Sequence, residues 1–444
     1  MTDGDRYVVL GLARVRAPWF VDVARWATSA ALPVDFVKVV SGEEARARLR
    51  TGRPFSALLV DAGLAALDRD LVELAWQHGC VVIAVDDGRS VRAWRELGVH
   101  AVLPATFERE QLLDGLRAVA RPISRGDELA MPTTQATPEP PGAWRGWLVA
   151  VTGAGGVGRS TLAMALATGL AGDPRDRGLV VLADLALDGH QALLNDAGDV
   201  VPGLSELVDA HRAAALPAPQ VRAMCFTVPD RGYDLLIGLR RHRDWTALRP
   251  RAVDAAVQAL RGAYRVVVAD VDADVEGEEQ CGSVEVEDRN VLARHTLRDA
   301  DLVLVVGLPG IAGVHSQLRV TRDLLELGVA GDRIVPIVNR APRNPRLRAE
   351  AGSAYARLLT ATNPGVMLAS SPVYLPERRR VAELLRDNAA PPAPLIRPVT
   401  GAVRGLLDVA EHRGGGSVAA AEPVPVAPGS LGSWYDDYDE AAEA

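Results

Sequence analysis

The sequence predicts an α/β protein of two doubly wound domains, each on a mostly parallel sheet, and three observations predict it. Short apolar runs alternate with amphipathic stretches of helical length in two separate parts of the chain. The runs of the second part are almost continuously apolar, as strands covered on both faces are. Between the two parts, RPISRGDELAMPTTQATPEPPGAW is rich in Pro, Thr and Gly and has no sustained period, which marks a linker.

Taken in order, the first part offers YVVLGL, VDFVKVV, SALLVDAG, CVVIAVDDG and HAVLP as strands, separated by helix-length segments. Parallel strands need crossovers of that length. A first domain over residues 1–122 and a linker over 123–145 follow. The second domain, residues 146–411, opens with WLVAVTG and continues through LVVLADL, YDLLIGL, YRVVVADV, ADLVLVVGL and RIVPIVNR. Residues 272–290, DADVEGEEQCGSVEVEDRN, are acidic and irregular and read as an exposed insertion. From residue 412 to 444 the composition turns low-complexity and then acidic, which predicts a disordered tail.

Composition bounds the function classes. At 444 residues the chain exceeds one ordinary core. No apolar run is long enough for a membrane span, and the start MTDGDRYVVL lacks the basic-then-apolar order of a signal peptide, so a cytoplasmic protein is expected. Cys80, Cys225 and Cys281 have no metal-ligand spacing and read as apolar fillers. A net charge of −8 argues against a broad surface for DNA. Lys38 is the only lysine among 49 Lys and Arg residues, so arginine at any basic position reflects a strong coding bias.

One motif carries chemistry. In TGAGGVGRST, four residues separate Gly153 from Gly158, which is followed by Arg159, Ser160 and Thr161. A strand before and a helix after make this a phosphate-cradling loop: glycines let backbone N–H groups approach phosphate oxygens, and the helix N-terminus adds its dipole. A glycine-rich strand-to-helix turn that binds nothing has the same pattern. Asp184 and Asp270 each end an apolar strand, so both emerge at the carboxyl edge of the sheet, where a carboxylate can hold Mg²⁺ or merely cap the next helix.

AGGVGRST resembles the deviant P-loop of the MinD/ParA superfamily. DLALDG is similar to its first switch, VVVAD to its Walker B strand, IVNR to its adenine-contacting strand end, and YLPERRRVAELLRDNAAP to its late proline segment and helix. The resemblance implies ATP held by Gly153, Gly155, Gly156, Val157, Gly158, Arg159, Ser160, Thr161, Asn339 and Arg340, with Mg²⁺ at Ser160, Asp184 and Asp270. The first domain resembles a receiver, a flavodoxin-like fold. A receiver-like domain before such an ATPase domain is similar to CpaE-like pilus-localisation proteins, especially the actinobacterial septum-site-determining branch.

Departures from the family pattern point away from turnover. The family's signature lysine falls on Ala154 and its P-loop lysine on Arg159, while Ala186 stands where the hydrolysis-linked aspartate is usual, unless Asp188 replaces it. A cation supplied to the transferring phosphate from a second chain is worth roughly 10³ to 10⁵ in rate. Its loss predicts at most a weak ATPase that binds ATP and Mg²⁺ weakly or not at all. In the first domain, Asp61 takes the receiver's phosphorylation position, but Gly11-Leu12-Ala13 and Pro104-Ala105-Thr106 replace the acids and lysine of its Mg²⁺ cage.

The expected function is spatial regulation of septum placement or of a Flp-type pilus secretion apparatus, through protein partners that recruit the chain to septum or pole. An active ATP-hydrolysing positioning ATPase is the alternative, and a metabolic P-loop enzyme lacks a supporting motif. Homodimerisation is compatible with the resemblance. Arginines in LRRHRDW, NRAPRNPRLR and ERRR read as solvated faces rather than a DNA surface, and the acidic tail as a partner-binding segment rather than a membrane anchor.

Overall fold

The first five apolar runs become strands β1 (Tyr7–Leu12), β2 (Val34–Val39), β3 (Ala57–Asp61), β4 (Val81–Asp86) and β5 (Ala101–Pro104). In the computed structural model, which describes residues 6–123, 144–197, 202–378 and 389–413 except 15, 16, 30, 52, 90 and 91, together with 381 and 383, they pair in the order β2-β1-β3-β4-β5. Every pairing is parallel, and the order is that of flavodoxin-like sheets. Helices α1 (Pro18–Thr28), α2 (Gly42–Arg50), α3 (Arg69–Gln77), α4 (Trp94–Leu97) and α5 (Arg109–Val119) make the connections. Successive side chains of each strand feed opposite faces: Leu10 and Leu58 pack under one helical layer, Val9 and Leu59 under the other.

A larger sheet holds β6 (Trp147–Gly153), β7 (Val180–Asp184), β8 (Phe226–Val228), β9 (Tyr233–Leu236), β10 (Val266–Asp270), β11 (Leu302–Gly307), β12 (Ile334–Ala341) and β13 (Val373–Pro376). Their order is β13-β12-β11-β6-β10-β7-β9-β8, parallel except for the antiparallel edge pair β8–β9. Its helices are α6 (Arg159–Ala171), α7 (Gln191–Leu194), α8 (Leu204–Ala213), α9 (Ala218–Ala223), α10 (Pro250–Ala263), α11 (Glu278–Cys281), α12 (Val284–Arg289), α13 (Val291–Asp299), α14 (Ile311–Glu326), α15 (Pro345–Thr362) and α16 (Ala393–Arg413). The fold class is thus the one expected, α/β with mostly parallel sheets.

The chain starts this sheet at its centre, builds outward on one side through β7, returns to β10 and then fills the other side. Strand order therefore reverses at β6, and the crevice above its carboxyl end is the ligand position of open α/β sheets. Helix α6 leaves that crevice and is apolar almost all round, because the sheet covers one side and α16 the other. Gly169 makes the second contact close: a Cβ there would sit 2.0 Å from Thr400 Oγ1. Each Val or Leu buried in these layers contributes about 1.5–3 kcal/mol.

Several expectations need correction. Strands β8 and β13 were not expected, since three or four residues at a sheet edge carry no period to read. Residues 272–290 are not wholly irregular: they contain α11 and α12, and although many of them are exposed, Val275 and Asn290 are buried. Of the three thiols, only Cys80 is a buried filler, and Cys281 is exposed. Most of the expected linker (124–143) and of the tail (414–444), with Arg379, Arg380 and residues 384–388 of the late segment, lies outside the described residues.

Candidate functional site

Backbone conformation prepares the loop after β6. Gly156 and Gly158 lie at φ of 78° and 90°, which favours glycine, and a Cβ on Gly158 would meet Asn339 Nδ2 at 2.5 Å. Gly155 and Gly156 face open space, so the concave side of the loop is clear. Helix α6 begins at Arg159 and directs its unpaired N–H groups into the same space. The loop forms one wall of a cleft of about 660 Å³ that Ser160, Thr161, Asp188, His242 and Asp272 also line. On this geometry the residues fit a phosphate group.

The divalent metal fits less well. Arg159 also lines the cleft, but its guanidinium is tied to the sheet edge, where Nε donates to Asp270 Oδ1 at 2.6 Å and Nη1 to Asp272 Oδ1 at 2.7 Å. Gln191 Nε2 donates to the other Asp270 oxygen at 2.8 Å and to the Ser160 carbonyl at 3.0 Å, and Leu187 N–H occupies Asp272 Oδ2 at 2.8 Å. Both carboxylates are thereby engaged by protein donors. Among the described residues, no group of three or more His, Cys, Asp or Glu is arranged to hold a metal ion. Of the residues expected around Mg²⁺, Ser160 lines the cleft, Asp270 is paired with Arg159, and Asp184 is buried on the neighbouring strand.

Electrostatics explains why the arginine stays in place. Burial works against the Arg159 charge, but Asp270 and then Asp272 outweigh it and hold the guanidinium pKa above its ordinary value. Breaking one partner out of a buried pair costs about 3–5 kcal/mol, against about 1.5–3 kcal/mol gained by one hydrogen bond to a charged group. A single phosphate contact therefore does not draw Arg159 away. Asp184 is 1% exposed and pairs in register with Asp270 on the neighbouring strand. Burial first, then the charge of Asp270, pushes its carboxyl well above the usual carboxylate range. Its Oδ2 accepts Gln191 N–H at 2.9 Å, while Oδ1 has no partner among the described residues.

Other expected residues are distributed unevenly. Asn339 donates from Nδ2 to the Val157 carbonyl at 2.8 Å and accepts from Arg340 N–H at 2.8 Å, so it braces the loop from outside. Neither it nor Arg340, whose φ is 52°, lines the cleft. Ala154 is at the cleft lip, Ala186 is buried, and Asp188 stands exposed at the mouth, 3.1 Å from His242 Nδ1.

Sequence reasoning missed Asp272 and Gln191. Asp272 had a signal: it follows Asp270 by two residues, and an extended chain places i and i+2 on one side. Gln191 had none, because its role depends on where α7 folds back.

Part of this chain is similar to solved structures of ParA and MinD ATPases. A ParA family ATPase from Chlorobium tepidum TLS is 18% identical, covers 59% of this chain and 99% of its own, and superposes with a TM-score of 0.44. The septum site-determining protein MinD with Mg-ADP from Pyrococcus horikoshii OT3 is 17% identical over 60% of this chain and 98% of its own, with a TM-score of 0.44. The MinD cell division ATPase of Pyrococcus furiosus is 16% identical over 60% and 99%, again at 0.44. No protein-family model matches the sequence, and no curated protein does.

Proposed function

We propose that this chain is a MinD/ParA-type positioning protein that keeps the phosphate cradle and has lost the apparatus for turnover. It places a division septum, or a Flp-type pilus secretion apparatus, through contacts with protein partners. ATP binds weakly or not at all, and hydrolysis is slight. The observation that carries this reading is the Arg159 pair with Asp270 and Asp272, which ties the loop's cation to the sheet edge. Ala154 and Ala186 add to it, since neither can supply charge or position a water.

The five-stranded unit, a receiver-like module, serves as a docking surface in this reading. Nonspecific DNA binding is not favoured in this reading, given the net charge of −8, and two arginines of the basic stretches have partners within the chain: Arg240 pairs with Glu206, and Arg348 donates to the Pro342 carbonyl. Among the described residues, no helix is long and apolar enough to cross a membrane.

ATP affinity and turnover measured on the same preparation, with and without Mg²⁺, test the proposal. Expected are weak or undetectable affinity and turnover close to the buffer background. Hydrolysis at the pace of an ATP-driven positioning cycle would overturn it. Proteins retrieved with the tagged chain from its own cells distinguish septal from secretion partners.

A further inference from the structure

An arginine–aspartate pair stands at the carboxyl edge of both sheets, bidentate on one aspartate in the first and bridging two in the second. In the five-stranded sheet, Arg14 follows β1 and grips Asp61, which ends the neighbouring strand β3, through Nε–Oδ2 and Nη2–Oδ1 bonds of 2.9 Å each. In the eight-stranded sheet, Arg159 follows β6 and grips Asp270, which ends the neighbouring strand β10. Both aspartates stand at the carboxyl edge of a parallel sheet, where a divalent cation and its anionic ligand ordinarily sit. A guanidinium can fill that place: it is a permanent cation, presents planar donors matched to carboxylate oxygens, and is held there by the chain.

The two cations compete for the same oxygens. Mg²⁺ requires near-octahedral oxygen ligands at about 2.1 Å. Each oxygen of Asp270 and Asp272 already accepts a hydrogen bond from Arg159, Gln191 or Leu187, so an incoming ion would have to share these oxygens with the protein's own donors. Like charge adds to the obstacle, since the ion would have to lie beside a guanidinium only 15% exposed.

We propose that Arg159 is a built-in replacement for the divalent cation of this cleft, so that Asp270 does not coordinate Mg²⁺ and any nucleoside phosphate held by the cradle is held without metal. The ligand class rests on the reading of the loop as a phosphate cradle. Exclusion of the metal does not, and it is measured without nucleotide so that the two fail on different results.

Mn²⁺ titration of the full chain, followed by the loss of the free-ion electron paramagnetic resonance signal, is compared for wild type, Arg159→Gln and Asp270→Asn. Only binding abolished by Asp270→Asn counts. The expected result is no such site in wild type and one in Arg159→Gln that is tighter by at least about tenfold. A site in wild type that Asp270→Asn removes overturns the proposal, and so does its absence from a folded Arg159→Gln. Should that variant fail to fold, the wild-type and Asp270→Asn titrations still decide. Where nucleotide binding is measurable, wild-type affinity is expected to be the same in Mg²⁺ and in chelator, and a tenfold difference counts against the proposal.

Discussion

Asp61 shows how one side chain settles a functional question. Burial pushes its carboxyl up, but the Arg14 side chain and the Gly63 N–H at 3.0 Å outweigh that and hold it below the usual carboxylate range. It is ionised, yet both oxygens are engaged by donors, and Gly11-Leu12-Ala13 supplies no acid to bring in a metal. Phosphoryl transfer to a carboxylate needs a free oxygen and a cation that neutralises the incoming phosphate. Incubation with acetyl phosphate and Mg²⁺ is therefore expected to leave the intact mass unchanged, and an added phosphoryl group would contradict the account.

At the scale of an element, α3 depends on a single residue. Asp68 caps it by accepting Leu71 N–H at 2.9 Å, and the same carboxylate takes both Arg46 bonds at 3.0 Å and Arg212 at 3.2 Å. Arg46 is nearly buried and keeps only the exposed Glu43 as a second acidic partner, so removing Asp68 weakens the pairing of a buried cation as well as a helix end. Loss of an N-cap costs about 1 kcal/mol and breaking a buried pair about 3–5 kcal/mol. Asp68→Ala should lower unfolding stability by roughly 4 kcal/mol in urea titration. Asp68→Asn keeps the cap acceptor and should cost measurably less; equal losses would mean that the cap contributes nothing and the charge pairs account for the whole effect.

Across the whole molecule, the helices α3, α8 and α10 join the two sheets. Arg212 reaches Asp68, Arg249 reaches Glu43, and Arg251 offers its backbone N–H to Asp70 at 2.8 Å and its side chain to Glu73 at 3.4 Å. Surface pairs of this kind contribute little singly, but His211 is buried at the same junction and neither ring nitrogen has a partner among the described residues. Burial first, and then the charge of Arg69, lowers its pKa to about 4. The unfolded chain takes up a proton as pH falls through the ordinary value of about 6.5, whereas the folded chain stays neutral until about 4. Stability is thus lost progressively across that window on acidification, on the order of 2 kcal/mol between roughly pH 7 and pH 5. Urea unfolding of wild type should show this loss, and His211→Leu should remove most of it. An unchanged pH dependence in the variant would assign the effect to other groups.

Legibility in the sequence followed the range of the forces involved. Strand identity, the parallel class, the glycine loop and the strand-ending Asp184 and Asp270 were readable because burial on a pleated strand and backbone freedom at glycine are set by residues a few positions apart. Edge strands β8 and β13 were too short to show a period, and Asp272 was assigned to an exposed insertion although its spacing from Asp270 marked it. By itself the sequence determined the two α/β units, the cradle and the absence of lysine from it. Only the tertiary structure decided what Arg159 does, because the carboxylates it meets are 111 and 113 residues away, and a buried cation goes to whichever acceptors the sheet brings within hydrogen-bond reach.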